Sequence, residues 1–140
     1  MKFIDEIKAR AKQDVKTIVL PETRDKRTLI AAAQVLKEGT AKIVMVGDEE
    51  KIKDGAHWLD VELDGITVVN PETSPKLDEY VNLLYELRKK KGMTLESARE
   101  QLLNNYIMFG VMMVKCKDAD GMVAGCCHAT ADVLRPSLQI

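Results

Sequence analysis

The residues best suited to chemistry lie near the end of the chain, between Gly125 and Arg135. A short apolar run leads through small residues into a helical pattern, with Thr130 as the predicted N-cap. A strand, a turn without bulky side chains and a helix N-terminus form an anion site, because free N–H groups and the positive end of the helix dipole point at the turn. Arg135 adds a guanidinium fork suited to phosphate or carboxylate. The segment therefore predicts a phosphate site, although the GxGxxG and GxxxxGK[ST] patterns are absent from it.

Adjacent cysteines, Cys126 and Cys127, and a histidine, His128, add reactive groups to this turn. Cys126 and His128 would share one face of an extended segment, which suggests a Cys–His nucleophile pair, but no third group to orient the histidine is evident. The sequence favours a packed, hydrogen-bonded histidine. A metal site is not expected, because the chain has no C-x2-C pair and His57 lies beside Trp58 in a separate stretch predicted to be core.

Bulk composition limits the class of protein and its partners. The 140 residues are 46% hydrophobic and 31% charged, which indicates one soluble globular domain. A net charge of −1 gives no general attraction to nucleic acid or to anionic membranes, so neither is expected as a partner. Three cysteines make a poor disulfide framework, and the N-terminus, which is amphipathic and carries acids, is unlike a targeting peptide. A cytoplasmic location is therefore expected.

Short, continuously apolar runs predict strands, and they alternate with segments of helical pattern. The predicted strands are 17–20, 42–46, 66–69 and 122–124. Helices are predicted over 2–12, 28–38, 74–91 and 95–104, with a short helix after Asp48 and turns at 54–55 and 64–65. The strongly apolar run 107–115 is compatible with a buried helix, but periodicity alone does not separate helix from strand there. Continuous apolar strands between helices predict an α/β fold class, a three-layer α/β/α architecture with a mainly parallel sheet.

Three predicted strand ends carry residues that look functional. These are 21–24, 70–72 and 125–130. In a parallel sheet the carboxyl ends of the strands meet at one edge, where ligands collect. The sequence therefore predicts a single site at that edge.

The chain resembles the N-terminal part of the phosphotransacetylase (phosphate acetyltransferase) family. Four regions carry the resemblance, in family order and over nearly the whole chain: IVLPETRDKR at 18–27, LYELRKKKG at 84–92, FGVMMV at 109–114, and ADGMVAG with HATADVLRPSLQ within 119–139. Phosphate butyryltransferases share parts of them. The resemblance implies an isocitrate/isopropylmalate dehydrogenase-like fold, a homodimer, and two α/β/α domains with the active site between them. Residues 1–140 would then be the first domain, with the second domain and the general-base aspartate beyond Ile140.

That resemblance implies an acyltransferase, with reversible transfer of an acetyl group between acetyl phosphate and coenzyme A and release of phosphate. Coenzyme A would be a substrate, with no tightly bound cofactor, and the isolated chain would be inactive because its site is incomplete. A phosphate butyryltransferase and a non-catalytic module that binds phosphate, acyl phosphate or coenzyme A are the alternatives.

The resemblance also assigns roles to particular residues. Arg135 would stabilise the departing phosphate, and Arg88 would bind coenzyme A or phosphate. Ala129 stands where the family commonly has serine, which removes one hydroxyl that could contact phosphate. The remaining expected contacts to phosphate or coenzyme A come from Arg24, Arg27, Gly125, His128 and Thr130.

Overall fold

Four parallel strands form one sheet in the computed structural model, which describes residues 2–140. The strands are β1 (Lys16–Leu20), β2 (Ala41–Val46), β3 (Thr67–Val69) and β4 (Gly121–Met122), arranged in the order β3-β2-β1-β4. β1 is central, with Ile18 opposite Ile43 of β2 on one side and Gly121 of β4 on the other. The predicted parallel sheet is confirmed, although β4 is shorter than the run 122–124.

Helices connect the strands, and polar side chains cap several of them. The helices are α1 (Phe3–Gln13), α2 (Lys26–Glu38), α3 (Glu49–Leu59), α4 (Leu77–Arg88), α5 (Leu95–Asn104), α6 (Tyr106–Lys115) and α7 (Thr130–Gln139). A 3-10 turn, Lys89–Lys91, extends α4. The N-caps Asp25, Asp48, Thr94 and Asn105 each accept a backbone N–H of the first turn that would otherwise lack a partner.

Each face of the sheet is covered by its own group of helices. On one face α2 and α3 pack on β2 through Leu29, Ala32, Ile43, Met45 and Ile52. On the other face α4, α5 and α6 bury a larger apolar cluster, in which Val19, Tyr80, Leu84, Phe109 and Met112 are almost completely enclosed. This arrangement confirms the three-layer α/β/α architecture.

Helix α6 packs directly against the sheet. At Gly110 a Cβ atom would lie 2.8 Å from Sδ of Met122 and 3.2 Å from Cγ1 of Val19, so the absence of a side chain allows the close approach. Phe109 packs edge-on against Tyr80, with 5.2 Å between ring centroids. The Tyr80 hydroxyl donates to Asp118, which gives this buried aromatic its polar partner.

Two predictions about the segment after β2 are wrong. The pair Asp54-Gly55 lies inside α3 rather than in a turn. Gly55 is explained by packing, since a Cβ there would lie 2.9 Å from Cδ1 of Leu29 on α2. His57 and Trp58 are exposed rather than core, with Trp58 80% exposed, because the buried face of α3 is formed by Ile52 and Ala56.

Among residues 2–140, no helix has both the length and the continuous apolar character that a membrane span needs.

Candidate functional site

The turn after β4 is closed around the carboxylate of Glu22, which follows β1. Oε1 of Glu22 accepts the backbone N–H groups of Gly125 and Cys126 at 2.5 and 3.1 Å. Oε2 accepts the N–H of Cys127 at 2.9 Å and lies 2.7 Å from Nδ1 of His128. The Glu22 side chain is only 2% exposed. The turn in which the sequence predicted a bound phosphate therefore holds a carboxylate of the protein itself.

Hydrogen bonding keeps the Glu22 carboxyl ionised despite its burial. Burial by itself would raise its pKa. The contact with His128, the amides of Cys127 and Cys126 and the Cys127 thiol outweigh that effect and hold the pKa well below its ordinary 4.5. His128 makes a hydrogen bond, as predicted, but it is exposed rather than packed.

Both thiols of the turn also approach Glu22. Sγ of Cys127 lies 3.1 Å from Oε2, and Sγ of Cys126 lies 3.5 Å from Oε1 and 3.3 Å from Oγ1 of Thr28. Burial, followed by the hydrogen bond to Glu22 and its charge, raises the pKa of the Cys127 thiol to about 12. The thiol beside His128 is Cys127, at 3.5 Å, rather than Cys126. A protonated thiol next to a carboxylate is a poor nucleophile, which argues against the Cys–His hypothesis.

Arg27 joins the start of α2 to the same turn. Its Nε and Nη2 donate to the two carboxylate oxygens of Asp25 at 3.1 and 2.8 Å, and Nη2 also donates to the carbonyl of Cys126. The hydrogen bonds from Arg27 lower the pKa of Asp25 to about 2. Arg27 therefore connects two segments of the protein in this structure.

Helix α7 begins differently from the prediction. Ala129 occupies the N-cap position and Thr130 is the first helical residue, so the predicted Thr130 cap is wrong. Ala129 offers no side-chain oxygen, and Thr130 lies one residue too late to accept from the first turn. Pro136 lies inside α7, which continues through it. Pro136 is buried, and its packing offsets the backbone hydrogen bond that proline cannot make.

A cavity of about 700 Å³ opens at the carboxyl edge of the sheet. All three predicted strand ends contribute to it: residues 21–24 after β1, Glu72 after β3, and Cys127 with His128 after β4. The start of α6 and the exposed residues Asp132 and Arg135 of α7 complete the wall. The structure thus brings the three strand ends together at one site.

Three cations line this cavity: Arg24, Lys51 and Arg135. Within residues 2–140 none of them has a carboxylate at ion-pair distance. The Arg24 guanidinium lies 5.9 Å from the ring centroid of Tyr106, which fixes its direction. Guanidinium and ammonium groups without internal partners are suited to hold a phosphoryl group and to stabilise the negative charge that develops on it as it departs.

Residues 2–140 match the sequence model of the phosphate acetyl/butaryl transferase family. The chain belongs to this family. It is 51% identical over 140 residues to a phosphate acetyltransferase of Acetivibrio thermocellus and 46% identical to one of Clostridium acetobutylicum. Each alignment covers all of this chain but only 41% and 42% of the relative, so the chain spans about two-fifths of their length.

Solved structures agree with the sequence relatives. The fold is similar to that of a phosphotransacetylase from Streptococcus pyogenes, with a TM-score of 0.92 and 34% identity over the whole chain and 43% of that protein. A phosphotransacetylase from Staphylococcus aureus gives a TM-score of 0.86 and 39% identity, over 98% of this chain and 41% of that protein. The arrangement of helices on this sheet is therefore the phosphotransacetylase arrangement.

Three further residues that were expected in the site of this phosphate acetyl/butaryl transferase chain lie in separate parts of the structure: Gly125, Arg88 and Thr130. Gly125 has a φ of +119°, a conformation that side chains rarely adopt, and its N–H holds Glu22. Arg88 lies at the end of α4, and neither it nor Thr130 is among the residues lining the cavity. The expected roles of Arg88 and Thr130 in binding stay predictions.

Sequence analysis missed several residues that line the cavity. Lys51 lies in the first turn of α3, directly after β2, so the rule that ligands collect at strand ends could have found it. Glu22 stood within a predicted strand end, but no periodicity marks it as the partner of residues about a hundred positions later. Tyr106 and Asp132 carried no signal, because their contribution depends on how α6 and α7 pack.

Proposed function

We propose that the full protein is a phosphate acetyltransferase, which transfers an acetyl group reversibly between acetyl phosphate and coenzyme A and releases phosphate. The supporting observation is the position of Arg135 in a cavity that also contains Arg24 and Lys51, within a chain of this family. The curated relatives with which it shares 51% and 46% identity are named phosphate acetyltransferases, which favours acetyl over butyryl as the group transferred.

In the proposed reaction the coenzyme A thiolate attacks the acyl carbon of acetyl phosphate, and the bond from that carbon to the phosphate oxygen breaks. Negative charge grows on the departing phosphate. Arg135, assisted by Arg24 and Lys51, holds the phosphoryl group and stabilises that charge. Because this chain spans about two-fifths of its relatives, the base that deprotonates the thiol is assigned to the rest of the full protein.

The test of this function is Arg135→Ala in the full protein. We expect kcat at saturating acetyl phosphate to fall by about 10²-fold or more, the effect of removing one group that stabilises developing charge. The melting temperature should remain unchanged, because Arg135 is exposed and has no internal ion pair among residues 2–140. Arg10→Ala, an exposed arginine on α1, is the matched control and should retain full activity. An unchanged kcat in Arg135→Ala would contradict the proposed role.

We also propose that the full protein is a cytoplasmic homodimer that needs no tightly bound cofactor. The three cysteines of this chain are all free, which is compatible with a reducing compartment. Sedimentation equilibrium would show the dimer directly, and a monomer at micromolar concentration would contradict it.

A further inference from the structure

A cluster of side chains that could bind a metal ion lies at the turn after β4. The transfer reaction proposed above assigns no metal ion to it. One carboxylate oxygen of Glu22 and the Sγ atoms of Cys126 and Cys127 lie within 4.8 Å of one another. Nδ1 of His128 lies 2.7 Å from Oε2 of Glu22 and 3.5 Å from Sγ of Cys127. Thiolate, imidazole and carboxylate are the ligand types that zinc prefers in proteins.

We propose that Glu22, Cys126, Cys127 and His128 form a binding site for a thiophilic divalent cation of the zinc and cadmium class.

The spacing of the ligands supports this site. With metal bonds of about 2.0–2.3 Å, neighbouring ligands of a tetrahedral site lie about 3.3–3.8 Å apart. The thiol sulfurs are already 3.1 and 3.5 Å from Glu22 oxygens, and the sulfur of Cys127 is 3.5 Å from the imidazole nitrogen. Cys126, Cys127 and His128 are exposed, so their side chains are free to turn towards an ion held by the fixed carboxylate.

Charge and proton balance also support it. In the structure both thiols direct a hydrogen at the same buried carboxylate, so a cation that replaces those two protons would lie where they converge. One carboxylate and two thiols carry a charge of −1. One carboxylate, two thiolates and a divalent cation carry the same charge. A neutral imidazole coordinates through one ring nitrogen and carries its hydrogen on the other, so His128 adds no proton to the count. Binding therefore releases two protons without changing the charge of the cluster. Coordination deprotonates a thiol outright, so the neutral state of the free thiol does not prevent binding.

The turn is preorganised for this purpose. Three backbone N–H groups fix the Glu22 carboxylate, and the residues that carry the thiols are held by two of those same N–H groups. Second-sphere hydrogen bonds of this kind orient metal ligands and increase metal affinity. The expectation of no metal site rested on the missing C-x2-C pattern, and it overlooked a carboxylate that comes from a different strand end.

The test is a cadmium titration of the full protein in metal-free buffer with a reductant that contains no thiol. The thiolate-to-cadmium charge-transfer band in the ultraviolet reports bound thiolates. We expect a saturable band, a release of two protons per ion bound at this site, and loss of this component in both Cys126→Ser and Cys127→Ser. Glu22→Gln should weaken cadmium binding at least about 10-fold. Magnesium, which prefers oxygen ligands, should not compete.

Cys116→Ser is the matched control, because Cys116 is the remaining free thiol of this chain and lies on the other side of β4 in the sequence. It should bind cadmium like the parent protein. Circular dichroism of each serine variant shows whether its fold is intact, and competition with a chromophoric zinc chelator measures the same site by a second method. A band that survives in folded Cys126→Ser and Cys127→Ser, or that is lost in Cys116→Ser, would overturn the proposal.

Discussion

Helices α6 and α7 have the same length but opposite surroundings. Seven consecutive residues of α6, from Ile107 to Met113, are buried, whereas Pro136 is the buried residue of α7. Leu134 and Leu138 of α7 are 51% and 83% exposed. Yet α7 carries Arg135, and the middle of α6 carries no group that could take part in chemistry. Packing thus concentrates stability in α6, whereas the arginine proposed to stabilise the departing phosphate lies on a helix that adds little to the core.

If α6 carries most of the stability, the largest loss of stability should come from Phe109→Ala in α6. Phe109 is fully buried and packs on Tyr80, so its truncation leaves a cavity next to the sheet. The free energy of unfolding should fall by about 3–5 kcal/mol. Leu138→Ala in α7 is the matched control and should change it by less than about 0.5 kcal/mol. Urea denaturation measures both, and comparable losses would show that α7 is as firmly packed as α6.

A smaller loss of stability is expected from Glu22→Gln, because this change loosens the segment that leads into α7. A neutral amide accepts the three backbone N–H groups less strongly than a carboxylate, and its NH₂ group cannot accept them. The free energy of unfolding should fall by about 2 kcal/mol, which lies within the range for hydrogen bonds to a charged group. Thermal unfolding measures it.

Glu72→Gln is the control for that change, because Glu72 is an exposed acid that lines the same cavity. Its unfolding should match that of the parent protein. Equal stability of Glu22→Gln and the parent would mean that the buried carboxylate does not hold the turn.

The smallest effect is expected from Asp25→Asn, and it depends on pH. The pKa of Asp25 is lowered from 3.8 to about 2, so the unfolded state binds more protons than the folded state between these values. The stabilisation is therefore fully present above the ordinary pKa and is lost as the pH falls through about 2. Asparagine keeps the N-cap but loses the charge. Denaturation midpoints of parent and variant should differ at pH 7 and converge near pH 2, and a gap that stays constant would contradict the assignment.

The sequence predicted the elements that depend on local pattern. The strands predicted at 17–20 and 42–46 are β1 and β2, and the apolar run at 107–115, which periodicity left open between helix and strand, is the buried helix α6. The turn predicted at Asp54-Gly55 was wrong because a dipeptide common in turns is also tolerated in a helix that packs closely, here against Leu29. Thr130 misled because a hydroxyl one residue after the cap position resembles a cap in sequence.

The location of the candidate site could be predicted from the topology, but the contacts between its residues could not. Parallel strands predicted that three strand ends would meet, and the cavity lies there. The contact between Glu22 and Cys127 spans 105 positions and places an acid where an external anion was expected. No local pattern encodes that pairing, since it depends on two loops being brought together by β1 and β4.

The single carboxylate that holds the turn also has a consequence for hydrogen exchange. The amides of Gly125, Cys126 and Cys127 lie outside the helices and strands, where amide hydrogens commonly exchange with solvent rapidly. Here all three depend on Glu22, so they are protected together and are released together when that side chain leaves. We expect their deuterium uptake to follow one shared opening free energy, so the turn should open as one small cooperative unit.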